Sequence, residues 1–486
     1  DGYGSAVDAS SGALVQMFQG SVVESLGVYG GAMSIRGASE LRLCGVVYFG
    51  NDASLGGGAI YLDSSTLTIL SNDADDTSCL MTLLSANTAP YGGGLYATGT
   101  STVTGNSLLN ITSNIATKGG GGMAVSSTMS TETTALVDFN VHSNSAHEVN
   151  GQGGITFYPG GGVHVSGPGS VEIKSGQIEA NVGGSGGGVY VLDAQTMSID
   201  SHSTIHSNNA NGNGGGVRVE NSTLLLSGSR VSENHAIGGS GGGLSVESGT
   251  LHVTEANLIM NVADTNGGAI HSSPSNLDSE IAEENSNKGT GFNTWYSEVH
   301  VVGTKFQGSV VGDAGKGGHV TLVHTNASFG GCLFEMTISE NGGAIHCTTT
   351  KMLVHDKTKV HNTEARRDGG GVYATKHSIV TMDDIELLNT KSGEDGGALY
   401  VDESSKVNVT QSSIIKAIAL GNGGALAISG SSIGVIMDTS ISATTAGTNG
   451  GAVHVSTLLT GASGSMNSLS YLEMHRVQTT NTKALL

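Results

Sequence analysis

Cleaving a polysaccharide on a β-rich scaffold needs two carboxylates at a working separation, or a calcium-binding acidic cluster beside a basic proton acceptor. The residues of this chain that come nearest are Asp73, Asp75 and Asp76 in NDADDTS, the pair Asp383-Asp384, and the run Arg366-Arg367-Asp368. NDADDTS matches a calcium loop only loosely and reads first as a solvated loop. Asp383 and Asp384 stand alone, and neighbours on a strand point to opposite faces. The polygalacturonase motifs Asn-Thr-Asp, Asp-Asp, Gly-His-Gly and Arg-Ile-Lys do not occur in series. No residue is therefore assigned a catalytic role, and neither a metal nor a cofactor is expected.

Seventeen histidines raise the question of metal binding. His164, His271, His346 and His454, however, all sit just after a recurring glycine, where other copies carry Tyr61, Tyr96, Tyr190, Arg218 and Tyr373. A shared repeat position predicts an outward strand column, read first as a solvated face and second as a flat recognition face for glycan or protein. Regular Thr-x-Thr columns, which an ice-binding face needs, are absent: STLTIL and STVTGN are isolated.

Of the four cysteines, Cys44 and Cys79 lie 14 and 15 residues before the recurring glycines 58 and 94. Equal phase on adjacent turns brings Cα atoms to about 5 Å, within disulfide reach. The pair is expected as a disulfide or as two stacked buried thiols; the disulfide would fit an oxidising, extracellular setting. Cys332 and Cys347 are out of phase, and their pairing is left open. Sequons for N-glycosylation stand at Asn110, Asn221, Asn326 and Asn408.

Positioning such residues falls to one repeat. The stretch GGGAIYL at 56–62 returns as GGGLYA at 92–97, GGGVYV at 186–191, GGGVYA at 369–374 and GGALYV at 396–401. Gly58, Gly94, Gly188, Gly268, Gly343, Gly397 and Gly451 mark this corner, which recurs about every 27 residues. Alternation after the corner is a strand signal and excludes helical repeats. An apolar-x-x-Asn element precedes many corners, as in Ile178-Glu-Ala-Asn181 and Val231-Ser-Glu-Asn234, and a third apolar strand lies between.

Three short strands per period predict an all-β fold, a single-stranded right-handed parallel β-helix. About 18 rungs of about 27 residues would make one continuous solenoid over 1–486, a rod on the order of 85 Å long at about 4.8 Å per rung. A glycine pair at a corner repeated on every level meets the need for free φ and for no Cβ, and stacked Asn side chains can bond along the axis as a ladder. Longer intervals place loop insertions within 63–94 and 124–162. A 50-residue interval is read as two periods with a degenerate rung at about 276–305, where Phe292, Trp295 and Tyr296 fill space or stack on sugar.

Glycine is 77 of 486 residues with only 4 prolines, which fits neither collagen nor a disordered linker. A net charge of −21 argues against nucleic acid and anionic membranes as partners. No apolar run is long enough to span a membrane. The chain opens on Asp1 and closes nearly in phase with the repeat, as expected of a cut through a longer array or of protomers stacking head to tail into a filament.

The combination of GGA(I/L/V), as in Gly57-Gly58-Ala59-Ile60, Gly267-Gly268-Ala269-Ile270 and Gly342-Gly343-Ala344-Ile345, with Asn51 and Asn261 of the second motif, resembles the repeat of chlamydial polymorphic outer membrane proteins and related pectate-lyase-like β-helix surface proteins. That resemblance implies a surface-exposed, adhesive passenger domain. The family's Phe is mostly Ile, Leu or Val here, and no outer-membrane barrel pattern is present. The expectation is an extracellular or cell-surface structural or adhesive protein, stacking on itself and open to a glycan or protein ligand; the alternative is a carbohydrate-active lyase or hydrolase.

Overall fold

The computed structural model describes residues 6–70, 79–200, 202–274, 297–456 and 469–485. The described residues contain strands and no helix, wound as a right-handed parallel β-solenoid of about 15 turns at about 27 residues each. They divide into two compact units, Asp1–Ser245 and Val246–Leu486.

A turn of the first unit runs Val217–Glu220, Thr223–Ser227, Arg230–Ser232 and His235–Ala236, four β segments where the sequence suggested three. The last two are one strand direction broken by a left-handed residue, Glu233 at φ +56°. The same break recurs at Ala86, Ser113, Ser143, Ala180 and Ser207, each directly before a ladder asparagine. Non-glycine residues at positive φ are strained, so something must hold each of them.

The holder is the asparagine. Asn51, Asn87, Asn114, Asn144, Asn181, Asn208 and Asn234 are at most 1% exposed. In every adjacent pair the side-chain amide of one donates to the Oδ1 of the next at 2.9–3.0 Å, and its backbone N–H donates to the same oxygen. The other amide proton caps a backbone carbonyl, Leu84 in the case of Asn114. Buried polar groups are thereby paired along the axis, as their burial requires.

In the second unit Ser309, Thr337, Thr363, Thr390 and Thr444 take that place; three of these hydroxyls bond backbone carbonyls, Thr337 to Ser309, Thr363 to Gly370 and Thr444 to Gly451, and those of Ser309 and Thr390 are buried without a partner. A separate corner is held by hydroxyls stacked turn on turn, Ser378 Oγ accepting from Thr350 N–H and Ser405 Oγ from Ser378 N–H.

The two corner glycines serve different ends. The first has positive φ, +69° at Gly57 and +66° at Gly396. The second meets the neighbouring turn: a Cβ on Gly58 would stand 2.1 Å from the Gly93 carbonyl oxygen, and one on Gly397 2.2 Å from that of Gly424. Gly268, Gly343 and Gly451 share this second place. Gly94 and Gly188 occupy the next one, where Ala59 and Ala398 stand in other turns.

Behind the corner the inward side chains stack in register. Met33, Ile60, Leu95, Met123, Val163, Val189 and Val217 form one column of the first unit, all within 1% exposure. Ile270, Val320, Ile345, Val372, Leu399 and Leu426 form its counterpart in the second.

About 15 turns are fewer than the 18 expected, and among the described residues the insertion within 124–162 uses residues without making a turn. Ile270 pairs directly with Val320 and Leu251 with Val299, so the described strands on either side of the 50-residue interval stack on one another; most of the degenerate rung expected at about 276–305 lies outside the described residues. Phe292, Trp295 and Tyr296 lie outside the described residues, as do Asp73, Asp75 and Asp76. The extra residues within 124–162 include an antiparallel hairpin, Ser145–Val149 with Ile155–Phe157.

Candidate functional site

The second unit carries a groove of about 550 Å³. It follows the left-handed break, lined at that column by Gly308, Met336, Asn362 and Asn389, with φ between 54° and 62°. Two residues further along each turn come Val310, Ile338, Glu364, Lys391 and Ile418. Val310, Met336 and Ile338 are 52, 47 and 50% exposed, an apolar group that stacking of Val310 on Ile338 makes contiguous; Ile418, 37% exposed, is set apart from it by the Glu364 and Lys391 turns.

The polar lining is matched within the protein. Asn389 donates to the Asn362 amide oxygen at 2.7 Å, Lys391 pairs with Glu364 at 2.7 Å, and Arg366 pairs with Asp313 at 3.1 Å. Both cations of the lining thus face a carboxylate, and the groove is charge-balanced. The sequence reading missed these residues because each apolar member is unremarkable by itself. Apolar types at an outward register position on several turns were the available signal.

The Tyr, His and Arg column is a correction. It is not an exposed outward face: Tyr61, His164, Tyr190 and His346 are 8, 8, 6 and 2% exposed. Two of the rings fold over a glycine of the preceding turn, where the missing Cβ leaves room: Tyr96 lies against Gly56 and His164 against Gly119. Ring follows ring, Tyr29 to Tyr61 at 4.7 Å, Tyr61 to Tyr96 at 5.7 Å, and Tyr373 to Tyr400 at 5.2 Å. Burial pushes the Tyr61 and Tyr373 phenols up to about 12.

The remaining candidates are scattered. Cys44 and Cys79 form a disulfide with Cα atoms 5.1 Å apart, while Cys332 and Cys347 are free and buried; burial raises the Cys332 thiol to about 11. Asp383 accepts from the Thr410 hydroxyl and Arg367 pairs with Glu394. Asp368 accepts the Asp395 N–H, and burial raises its carboxyl to about 6. The structure does not gather these groups into one cleft, and among the described residues no three of His, Cys, Asp and Glu are placed to share a metal. Asn110, Asn326 and Asn408 lie within strands, and Asn221 in an exposed turn at φ +48°. No described helix is long and apolar enough to cross a membrane.

Fold and site together define a parallel β-solenoid with a shallow, charge-balanced groove on its second unit. No family model matches the chain, so the likeness to the polymorphic outer membrane protein repeat rests on its motifs, and no curated protein matches it either. Among solved structures the chain is similar to the PL6 family alginate lyase AlyGC, at 10% identity over 98% of this chain and 96% of that one, with a TM-score of 0.23. At that score the likeness carries no argument about activity.

Proposed function

We propose that this chain is an extracellular structural or adhesive β-solenoid protein that binds a surface glycan or protein segment through the groove of its second unit. The observation that carries the reading is the contiguous exposed set Val310, Met336 and Ile338 inside a lining whose charges are already paired. Apolar surface gathered in one place marks interaction sites, whereas the same residues scattered would not. The Cys44–Cys79 disulfide is compatible with an oxidising, extracellular location. Leu14 and Phe18, each 54% exposed, and Leu26 at 71% supply apolar surface for self-association.

The test is Ile338→Lys. Ile338 is half-exposed, so stability should stay within about 0.5 kcal/mol of the parent, while binding to a panel of neutral and anionic oligosaccharides and extracellular matrix polypeptides should fall at least about tenfold. Binding that is unchanged in the variant removes the groove from the reading. Release of shortened oligosaccharides by the parent protein would move it to the carbohydrate-active class. Self-association is checked by sedimentation: the parent should form larger species as concentration rises, and Phe18→Lys should not.

A further inference from the structure

One register position after the glycine corner holds Tyr61, Tyr96, Ala124, His164 and Tyr190 in the first unit, and Thr321, His346, Tyr373 and Tyr400 in the second. Two of the phenols satisfy their oxygens at the edge of the corner, Tyr61 with the Thr98 hydroxyl at 3.1 Å and Tyr400 with the Ser429 hydroxyl at 2.9 Å. The imidazoles do not: both ring nitrogens of His164 and both of His346 are buried without a hydrogen-bond partner. A neutral ring can stay there for the cost of unmade hydrogen bonds. A charged ring in the same place, unpaired, costs far more.

The surroundings offer the charged form little. His164 faces Tyr91 at 6.1 Å and Tyr190 at 5.3 Å between ring centroids, Ala124 on the preceding turn, and the Gly119 backbone, so close that a Cβ on that glycine would lie 2.0 Å from Nδ1. His346 stacks on Tyr373 at 5.0 Å, has Thr321 on the other side, and feels Lys316 and Lys376, whose charges oppose a further positive one.

We propose that His164 and His346 make their turns acid-labile: protonation of either ring drives it out of its buried place and opens that turn locally, while turns that carry tyrosine at the same position hold. The direction follows from linkage. Burial lowers His164 to about 4, and burial with the two lysines lowers His346 to about 3, both below the unfolded value of about 6.5. A depressed folded value means the neutral-ring contribution is complete above about pH 6.5 and is lost as the pH falls from there toward the folded value. Such a device would let a β-solenoid loosen chosen turns on entering an acidic compartment.

Hydrogen exchange resolved by residue tests it, read as protection factors at about pH 7 and about pH 4.5. Protection should fall at least about tenfold in the acid sample around 160–165 and 343–347, and should stay level around Tyr61 and Tyr400. His164→Tyr and His346→Tyr install the residue that the column already uses and should restore protection at their own turns. A uniform fall across tyrosine and histidine turns, no fall, or a fall that persists in both variants overturns the proposal. Should a variant not fold, an NMR titration of the imidazoles in the unaltered protein decides the matter: midpoints well below about 6.5 are expected, and ordinary midpoints near 6.5 contradict it.

Discussion

Gly397→Ala is expected to destroy the turns around it, while Gly371→Ala leaves stability within about 1 kcal/mol of the parent. The two residues belong to the same kind of corner and differ in what the added methyl group meets. At Gly397 the nearest atoms are backbone, the Gly424 carbonyl oxygen at 2.2 Å and the Ile418 carbonyl carbon at 2.6 Å. Neither can yield without breaking the turn-to-turn hydrogen bonds of the corner, such as Gly397 N–H to Gly423 O at 3.1 Å. At Gly371 the nearest atom is the Ala398 carbonyl oxygen at 2.9 Å, and equivalent positions already carry Ala344, Ala398 and Ala425. A loss above about 4 kcal/mol, the range reserved for severe core and backbone defects, is expected for the first change. Urea unfolding followed by circular dichroism separates the two; equal effects would show that the corner is looser than described.

Asn144→Ala should cost roughly 3 kcal/mol in the same experiment. Its side chain accepts the backbone N–H and the side-chain amide of Asn114, and donates to Asn181 Oδ1 and to the Ile111 carbonyl. Alanine leaves those buried partners without water to replace it, and each unsatisfied group costs about 1–3 kcal/mol. The strained φ of Ser143, +56°, also loses the anchor that follows it. Asn144→Thr should recover part of the loss, because threonine fills this position in the second unit with its hydroxyl bonded to a carbonyl.

The period, the glycine pair and the asparagine element were legible in the sequence because stacking imposes one constraint at each level. Gly397 and Asn144 could be singled out for that reason alone. What stayed hidden depends on the space between turns. The alternation around Tyr96 and His164 gives the direction of each side chain relative to its strand, but not that a glycine of the adjoining turn leaves room for the ring to lie down. The groove is illegible for a related reason: Val310 and Ile338 come from adjacent turns and become neighbours only once the register is known.

The central claim is that the turns of the first unit are held by side-chain amides bonded to the next, and a double-mutant cycle on Asn114 and Asn144 tests it most directly. Asn114→Ala, Asn144→Ala and the double variant are compared by unfolding free energy, with Asn51 and Asn181, which are not adjacent in the ladder, as the control pair. Adjacent members should show a coupling of at least about 1 kcal/mol, and the control pair should be additive within about 0.5 kcal/mol. Additivity at Asn114 and Asn144 would contradict the ladder, and with it the register on which the corner and the covered rings of the first unit depend.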